Sequence, residues 1–304
     1  MKIAVLGAGS MGSLFGGLLS KKNDVYLVDM WKEHIDAVNS KGLKIEGKEQ
    51  TELVRPKAAC AAADVGVADL VIVFVKSTQT GQAIQDNREL FGENTLVLTM
   101  QNGLGNEDAL LQHIPAKNII MGTTQKSGST VGPGHVRDNG GVYSHIGPLQ
   151  GDADKAAAVA EALNQAGFAT EVHDSKNVQR MIWDKLMVNV SGNAVSALMQ
   201  VSNTVMLNNP CAWDTLTCIL KEAVAVAKAH GFDFDADVYL ERIKSLFISA
   251  PNHKSSMTQD REHKRMTEVD MINGAIVKKA AEVGMEAPYS HMVVNMVHVM
   301  EAMY

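Results

Sequence analysis

The feature that most constrains this chain is a glycine-rich turn directly after its first apolar run. The run Lys2–Leu6 fits a strand, and the residues from Gly12 to Ser20 fit a helix. Glycines in the spacing G-x-G-x-x-G permit a tight turn, a close approach of the backbone to a ligand, and close packing of the helix on the strand. The chain therefore begins as a strand–turn–helix unit. The turn itself reads Gly7-Ala8-Gly9-Ser10-Met11-Gly12.

Four further apolar runs follow in the first half and alternate with helix-like stretches. They are apolar almost throughout, which is typical of parallel strands with helices on both faces. Strands that alternate with helices over this length predict a doubly wound, Rossmann-type α/β domain. The predicted strands after the first are Val25–Val28, Leu70–Val75, Leu96–Thr99 and Asn118–Met121.

The pattern changes twice further along the chain. Residues 122–148 contain many glycines between short strand-like pieces, which we interpret as edge hairpins. A helix from Ala153 to Ala166 and a short strand at 169–172 follow. Ser175 is a predicted N-cap, and the residues beyond it are helical in pattern with few glycines. We therefore expect a Rossmann domain over residues 1–175 and an all-α domain over residues 176–304.

Composition limits the possible partners. The chain has 304 residues, enough for two domains with a core each, and a net charge of −6 at pH 7. This acidic balance disfavours an extended nucleic-acid or anionic-membrane surface, which requires a basic patch. No apolar run approaches the roughly 18 residues of a membrane span, and the first run is too short for a signal-peptide core. We expect a cytoplasmic protein that binds neither nucleic acid nor membrane.

The spacing of cysteines and histidines shows no disulfide or metal motif. The cysteines Cys60, Cys211 and Cys218 form no C-x-x-C pair, and their odd number fits free thiols in a reducing compartment. The ten histidines contain no H-E-x-x-H or similar spacing. These patterns predict no metal site.

The glycine turn, residues 7–12, has the spacing of a dinucleotide-binding fingerprint. The helix after it would offer unpaired N–H groups and a positive dipole end to a pyrophosphate. Asp29 ends the second strand about 20 residues beyond the turn, where a carboxylate accepts hydrogen bonds from the adenosine ribose and repels a 2′-phosphate. This predicts NAD, with NADP possible because Lys32 is near. A plain strand–helix turn is the alternative, and FAD is disfavoured because the second half shows no further cofactor pattern.

A helical segment of the second half carries a regular polar stripe. Lys185, Asn189 and Asn193 recur every four residues and so lie on one helix face, which Met181 and Ile182 continue with apolar side chains. Burying these polar groups without partners would be costly. The stripe therefore faces either a neighbouring element, as a structural polar network, or a cleft. In a cleft, the lysine could bind a carboxylate or protonate the oxygen of a keto group as it is reduced.

Glu268 is a second candidate for chemistry in this half. It is predicted to lie within a helix, on the same face as Ile272 and Ala275, whereas Asp270 lies on a solvated face. A carboxylate on an apolar face indicates a functional group, a helix cap or an interhelix ion pair. The sequence leaves these interpretations open.

Several short segments in a fixed order complete the pattern. Besides the glycine turn they are Val75-Lys76, Gln101-Asn102-Gly103-Leu104-Gly105, Met121-Gly122-Thr123-Thr124, His145-Ile146-Gly147-Pro148, Trp183-Asp184-Lys185-Leu186 with Asn189 and Asn193, Ser255-Ser256-Met257 with Gln259 and Asp260, and Thr267-Glu268 through Gly274. No single segment is decisive. As an ordered set over nearly the whole chain, they resemble the ketopantoate reductase family, the 2-dehydropantoate 2-reductases.

The resemblance implies a role for each matching position. Lys185 would be the general acid that protonates the substrate carbonyl as hydride arrives, and Asn102 would sit between cofactor and substrate and help to polarise that carbonyl. Glu268 would order Lys185 or reach the cofactor ribose. The cofactor would contact Gly7, Ala8, Gly9, Ser10, Met11, Gly12, Asp29, Lys76 and Gly128, and the substrate would contact Asn189, Asn193, Asn203, His253, Ser255 and Ser256.

Two positions depart from the NADPH-dependent members that bind ketopantoate. Those members have a basic residue near the end of the second strand, where this chain has Asp29-Met30. They commonly have asparagine three residues before Ser256, where this chain has His253 beside Asn252. These departures favour the NAD-dependent D-2-hydroxy acid dehydrogenases of the same family, such as D-mandelate dehydrogenase.

The expected reaction is reversible hydride transfer between NAD(H) and a bulky branched or aromatic 2-keto acid, in a cleft between the two domains, to give the D-2-hydroxy acid. Reduction of ketopantoate with NADPH or NADH is the alternative within the family. A non-catalytic dinucleotide sensor would need the glycines but not Lys185 together with Glu268. A homodimer is expected, since helical second domains of this kind often dimerise. The late methionines Met292, Met296, Met300 and Met303 suit an interface or a buried helix.

Overall fold

The computed structural model describes residues 1–304, which form two compact units. Unit 1 comprises residues 1–101 and 106–181, and unit 2 comprises residues 102–105 and 182–304. All strands belong to unit 1, whereas the secondary structure of unit 2 is helical. The predicted fold class, a Rossmann-type α/β domain followed by an all-α domain, is confirmed.

Unit 1 alternates strands and helices along the chain. Its strands are β1 (Lys2–Leu6), β2 (Asp24–Val28), β3 (Leu43–Glu46), β4 (Thr51–Val54), β5 (Lys57–Ala59), β6 (Leu70–Val73), β7 (Leu96–Thr99), β8 (Ile119–Thr124), β9 (Ser127–Gly132), β10 (His135–Gly140), β11 (Tyr143–Pro148) and β12 (Ala169–Val172). Its helices are α1 (Ser10–Leu19), α2 (Lys32–Lys41), α3 (Thr80–Asp86), α4 (Asn106–Leu111) and α5 (Asp154–Gln165).

A long helix, α6 (Ser175–Met199), begins at the predicted domain boundary, and the division between the units falls inside it. The remaining helices are α7 (Asn203–Asn208), α8 (Pro210–Ala229), α9 (Ala236–Ser249), α10 (Ser256–Glu262), α11 (Val269–Glu282) and α12 (Pro288–Glu301). None of the helices is both long enough and apolar enough to cross a bilayer.

The main sheet of unit 1 has eight strands in the order β12-β11-β8-β7-β6-β1-β2-β5. All neighbours are parallel except β8 and β11. In β1, Ile3 and Val5 belong to one hydrophobic cluster while Ala4 and Leu6 belong to another. Because successive side chains point to opposite faces, both faces of the sheet are covered, as the unbroken apolar runs predicted.

The glycine-rich stretch at 122–148, predicted to form edge hairpins, contributes strands to two different sheets. β8 and β11 pair antiparallel within the main sheet, while β9 and β10 form a hairpin in a second sheet of order β4-β3-β10-β9. Strands β3, β4 and β5 were not predicted, because each has only three or four residues, several of them exposed.

The start of α6 requires one correction. Ser175 is the first residue of the helix instead of its N-cap. Asp174 fills that role, because its Oδ1 accepts a hydrogen bond of 2.8 Å from the backbone N–H of Asn177. The Ser175 hydroxyl instead donates to the carbonyl of Leu149 at 3.1 Å. The helix that carries the polar stripe is thus capped within unit 1.

Candidate active site

The glycine turn lies between β1 and α1, and its three glycines are needed for different reasons. Gly7 has φ +96°, and a Cβ there would lie 2.6 Å from the Val75 nitrogen. A Cβ at Gly12 would lie 1.8 Å from the Gly7 oxygen. A Cβ at Gly9 would meet no atom within 4 Å. The fold itself requires Gly7 and Gly12, whereas Gly9 leaves open space before the N-terminus of α1, which suits a pyrophosphate.

Asp29 follows β2 and is held against this turn by two backbone donors. Its Oδ2 accepts a hydrogen bond of 2.6 Å from the Ala8 N–H, and its Oδ1 accepts one of 2.9 Å from the Trp31 N–H. An ionised carboxylate has about four acceptor positions, so the group can still accept bonds from ribose hydroxyls. Lys32 is engaged nearby, with its Nζ 2.7 Å from Asp36 Oδ2.

A buried histidine, His34, supports the turn through a chain of hydrogen bonds. No motif in the sequence predicted this role. The Nδ1 of His34 accepts a hydrogen bond of 3.1 Å from the Gly134 N–H, which assigns the ring proton to Nε2. Nε2 then donates to the Ser13 hydroxyl at 3.0 Å, and that hydroxyl donates to the Ala8 carbonyl at 2.8 Å. Burial lowers the pKa of His34 and so favours this neutral form. The relay spans 100 residues of sequence between His34 and Gly134.

Two further positions implied for the cofactor lie beside the turn. Gly128 is in β9, and a Cβ there would lie 3.5 Å from the carbonyl oxygen of Ser10. Lys76 follows Val75, whose nitrogen packs against Gly7. Unit 1 thus brings together the glycine turn, Asp29 and both of these positions. The group of residues fits a dinucleotide.

In unit 2, a polar cluster forms from three residues that are far apart in sequence: Asn102, Lys185 and Glu268. The Asn102 Nδ2 donates to Glu268 Oε2 at 3.4 Å across 166 positions. The loop of Asn102 is fixed by Leu104, whose N–H donates to the Met271 carbonyl at 2.9 Å.

Gly103 explains why this loop can dock so closely. Its φ is +91°, and a Cβ there would lie 1.9 Å from the Met271 oxygen. Only glycine allows this approach of the loop to the first turn of α11. The docking places Asn102 beside Glu268.

Glu268 itself requires a correction, because it lies outside the helix in which it was predicted. It occupies the N-cap position immediately before α11, and its side chain makes no capping hydrogen bond. Instead, its carboxylate is turned towards Asn102 and is near enough for its charge to act on Lys185. Of the three interpretations left open by the sequence, a side-chain helix cap is excluded.

Lys185 lies on α6 and is only partly exposed. Burial lowers the pKa of its ammonium group from 10.5 to about 8, and the negative charge of Glu268 opposes part of that shift. A lysine with a pKa of about 8 is protonated at neutral pH and can release its proton readily. The cluster therefore combines a cationic proton donor, a carboxylate and an amide.

The other members of the stripe follow Lys185 along α6. Asn189 and Asn193 are both partly exposed, next to the fully buried Val190 and Ala194. Asn273, a fully buried residue of α11, donates from Nδ2 to the Val190 carbonyl at 3.0 Å. This bond joins the helix of Lys185 to the helix that begins after Glu268. Its role was not predicted, although Asn273 stands within a recognised segment.

Comparisons with known proteins cover both units. Residues 3–151 match the model of Ketopantoate reductase PanE/ApbA, and residues 177–301 match that of Ketopantoate reductase PanE/ApbA C terminal. The chain belongs to the ketopantoate reductase family. It is an NAD(P)-dependent oxidoreductase that acts on a keto acid.

Individual members of the family match over nearly the full length. A 2-dehydropantoate 2-reductase of Streptococcus pyogenes serotype M18 is 34% identical, with 99% of this chain and 98% of the relative covered. A 2-dehydropantoate 2-reductase of Halobacterium salinarum is 36% identical, with 98% of each covered. The structure of a D-mandelate dehydrogenase with NADH and anilino(oxo)acetate has a TM-score of 0.90 at 31% identity, covering 99% of this chain and 98% of that one.

Four further residues were predicted to bind the substrate of this ketopantoate reductase family member. They lie at or near the N-termini of α7 and α10. Ser255 is the N-cap of α10, and its hydroxyl accepts from the Thr258 N–H at 3.2 Å. Ser256 is the exposed first residue of that helix. Asn203 begins α7, and its Nδ2 donates to the Ala250 carbonyl at 2.9 Å. The exposed His253 donates its backbone N–H to the same carbonyl at 3.1 Å.

The four residues differ in whether their side chains already form hydrogen bonds within the protein. The Ser255 hydroxyl also donates to the Asn193 carbonyl at 3.4 Å, so α10 is attached to the polar stripe of α6. Ser255 therefore joins α10 to α6, and one donor of Asn203 joins α7 to the end of α9. The side chains of Ser256 and His253 are the exposed members of the set.

Proposed function

We propose that this protein uses NADH to reduce a bulky branched or aromatic 2-keto acid to the D-2-hydroxy acid. The observation that carries the choice of cofactor is Asp29, whose carboxylate is fixed beside the glycine turn by the Ala8 and Trp31 N–H groups. A fixed negative charge at the end of β2 disfavours the 2′-phosphate of NADPH. Lys32, the nearby cation, is paired with Asp36.

The residues of unit 2 would supply the acid chemistry. NADH bound on the glycine turn supplies the hydride. Lys185, protonated at neutral pH, would stabilise the negative charge that develops on the carbonyl oxygen and then donate its proton there. Glu268 would keep Lys185 cationic through its charge and hold Asn102 by the 3.4 Å hydrogen bond. Asn102 would donate a second hydrogen bond to the carbonyl oxygen.

Substrate selection is assigned to the stripe and the loop before α10. The amides of Asn189 and Asn193 would donate to the substrate carboxylate. The branched or aromatic group of the 2-keto acid would lie against Asn203, Ser255, Ser256 and His253. Of these four, Ser256 and His253 have exposed side chains. The imidazole of His253 offers a flat surface for an aromatic group.

Ketopantoate is the second candidate substrate. It is supported by the curated relatives that are 34% and 36% identical over nearly the whole chain and are named 2-dehydropantoate 2-reductases. The aromatic or branched substrate is supported by the D-mandelate dehydrogenase structure with a TM-score of 0.90. A cofactor sensor without catalysis is disfavoured, because it would not need a lysine with a lowered pKa beside Glu268.

The decisive experiment is a panel of 2-keto acids followed by NADH absorbance. Phenylglyoxylate, branched-chain 2-keto acids and ketopantoate should each be assayed with NADH and with NADPH, and kcat/KM compared. The proposal predicts the highest value with NADH and an aromatic or branched substrate. A highest value with ketopantoate would establish the second candidate, and no turnover with any acid of the panel would contradict both candidates.

Asp29→Asn tests the cofactor choice separately. The amide keeps the shape of the side chain and one acceptor oxygen, for the Ala8 N–H, but removes the charge and puts an amide nitrogen in place of the oxygen that accepts from the Trp31 N–H. We expect the ratio of kcat/KM for NADH over NADPH to fall by roughly tenfold, while the exposed control Glu33→Ala keeps the wild-type ratio. A wild-type protein that already prefers NADPH would contradict the role given to Asp29.

The homodimer, the cytoplasmic location and the division at residue 175 stay predictions. Sedimentation of the full chain would test the first. The exposed side chains of Met292, Met296 and Met303 on or next to α12 make that helix the first place to probe, whereas Met300 is buried within unit 2.

A further inference from the structure

Three polar side chains meet near one edge of the main sheet in unit 1. His145 lies in β11 directly opposite Glu171 in the parallel neighbour β12, and His173 follows the last residue of β12. Residues two apart along an extended strand point to the same face, so Glu171 and His173 both turn towards His145. The two imidazoles are about one-fifth exposed, and the carboxylate is mostly exposed.

The ligand atoms of the three side chains converge to within 4.8 Å of one another. His145 Nδ1 lies 3.0 Å from His173 Nε2 and 3.4 Å from Glu171 Oε2, and His173 Nε2 lies 3.7 Å from the same oxygen. Around a tetrahedral ion with bonds of about 2.0–2.1 Å, two ligand atoms lie roughly 3.3–3.4 Å apart. The three observed distances bracket this value. Shifts of a few tenths of an ångström would therefore seat an ion.

Other histidines near carboxylates in this chain lack this convergence. His298 uses Nε2 towards Asp270 and Nδ1 towards Glu301, so the two carboxylates lie on opposite sides of its ring. His135 meets one carboxylate, that of Glu46. At the β11–β12 edge, by contrast, one ligand atom from each of three residues lies within 4.8 Å of the other two.

We propose that His145, Glu171 and His173 form a binding site for a divalent transition-metal ion of the zinc class. Two imidazole nitrogens and a carboxylate oxygen suit zinc and its neighbours better than calcium or magnesium, which prefer oxygen ligands alone. Three protein ligands leave a fourth position for water or a small ligand. The ion would tie β11 to β12 directly before the chain begins α6.

The site is separate from the glycine turn. β11 lies four strand spacings from β1 in the sheet order, roughly 19 Å at the usual spacing of about 4.8 Å. Metal binding is therefore expected to change the stability of unit 1 and to leave NADH affinity unaltered. The histidine spacing predicted no metal site, because these ligands are brought together by strand pairing and not by a local motif.

Calorimetric titration of zinc into the chelator-treated full chain tests the proposal. We expect one equivalent to bind, with affinity reduced at least about tenfold in His145→Gln and in His173→Gln. His135→Gln is the matched control and should bind as the wild type does. Cobalt should give the intense visible absorption of a four-coordinate ion in the wild type and not in the two variants.

Unaltered zinc affinity in both variants would overturn the proposal and leave the contact as a hydrogen bond between two imidazoles. Wild-type binding no tighter than that of the variants would overturn it equally. NADH binding and circular dichroism check that each variant is folded. If the histidine variants do not fold, Glu171→Gln tests the same site, since this mostly exposed side chain can lose its charge without disturbing the core; unaltered zinc affinity in that variant would also overturn the proposal.

Discussion

The glycine turn of unit 1 and the polar cluster of unit 2 are assembled in different ways. The glycines of the turn and Asp29 come from one short stretch, residues 7–29, although Val75 packs against Gly7 and His34 supports the turn from outside that stretch. The polar cluster joins Asn102, Lys185 and Glu268, and the hydrogen bond between Asn102 and Glu268 spans 166 positions. The residues that form the turn are neighbours in sequence, whereas the residues of the cluster are brought together by the packing of unit 2.

This difference has a physical basis in what each region must do. A turn that approaches a ligand needs backbone freedom and the absence of side chains, which glycine provides at fixed spacing. A proton donor needs a controlled environment, which only distant packing provides: burial lowers the pKa of Lys185, and Glu268 partly restores it. Substitutions can therefore damage binding or chemistry separately.

Lys185→Ala should separate the two regions most sharply. Loss of the proton donor is expected to lower kcat for keto-acid reduction by about a hundred- to ten-thousandfold, while NADH affinity stays unaltered because the glycine turn is intact. Stopped-flow turnover and NADH fluorescence titration measure the two quantities. Lys176→Ala, an exposed lysine of the same helix, is the control and should keep wild-type turnover.

A Lys185→Ala variant with near-normal turnover would contradict the assignment of the proton donor. A variant with normal chemistry but weakened NADH binding would show that the two regions are not separable in this way.

Lys185→Met should show how much the burial of the charged lysine lowers the free energy of unfolding. Burial of the charged form, seen in the pKa lowered to about 8, disfavours the folded state by up to about 3 kcal/mol. Below pH 8 the lysine is protonated in both the folded and unfolded states, so the full cost is present there. As pH rises from about 8 to 10.5, only the unfolded state keeps the proton, and the cost disappears.

Methionine should therefore raise the free energy of unfolding at pH 7 and give a smaller gain at pH 10. Denaturant unfolding at the two pH values measures the difference. A destabilised variant at pH 7, or a gain independent of pH, would argue against burial as the cause of the lowered pKa.

Gly9→Ala tests the local character of the turn. A Cβ there meets no protein atom within 4 Å, so the variant should fold with wild-type stability yet bind NADH roughly tenfold more weakly. Gly12→Ala is the contrasting variant, because its Cβ would collide with the Gly7 carbonyl oxygen. This variant should lose both NADH affinity and stability. Equal NADH affinity in Gly9→Ala and the wild type would remove Gly9 from the binding surface.

The same contrast explains how far the sequence could be interpreted. The apolar runs and glycine spacing predicted the fold class and several strands within one or two residues, because burial on both faces leaves a strong local pattern. Strands β3 to β5 were not predicted, because they are short and partly exposed. Glu268 was placed inside a helix that in fact begins one residue later.

Residues that act through distant partners left no sequence signal. His34 is connected to Ser13 and Gly134, and neither spacing forms a motif. Asn273 belongs to one of the segments that resemble the family, but nothing in the sequence predicted its bond to the Val190 carbonyl, which joins α6 to α11. The cluster of His145, Glu171 and His173 depends on strand pairing in the same way.

The most direct test of Lys185 as the proton donor is the pH dependence of kcat/KM for keto-acid reduction with NADH, in the wild type and in Glu268→Gln. Reduction requires protonated Lys185, so the wild-type rate should fall as pH rises through about 8. Removing the charge of Glu268 removes the influence that raises the pKa of Lys185, so the fall should move to lower pH. An unchanged profile in Glu268→Gln, or a wild-type rate that does not fall in this range, would contradict Lys185 as the proton donor tuned by burial and Glu268.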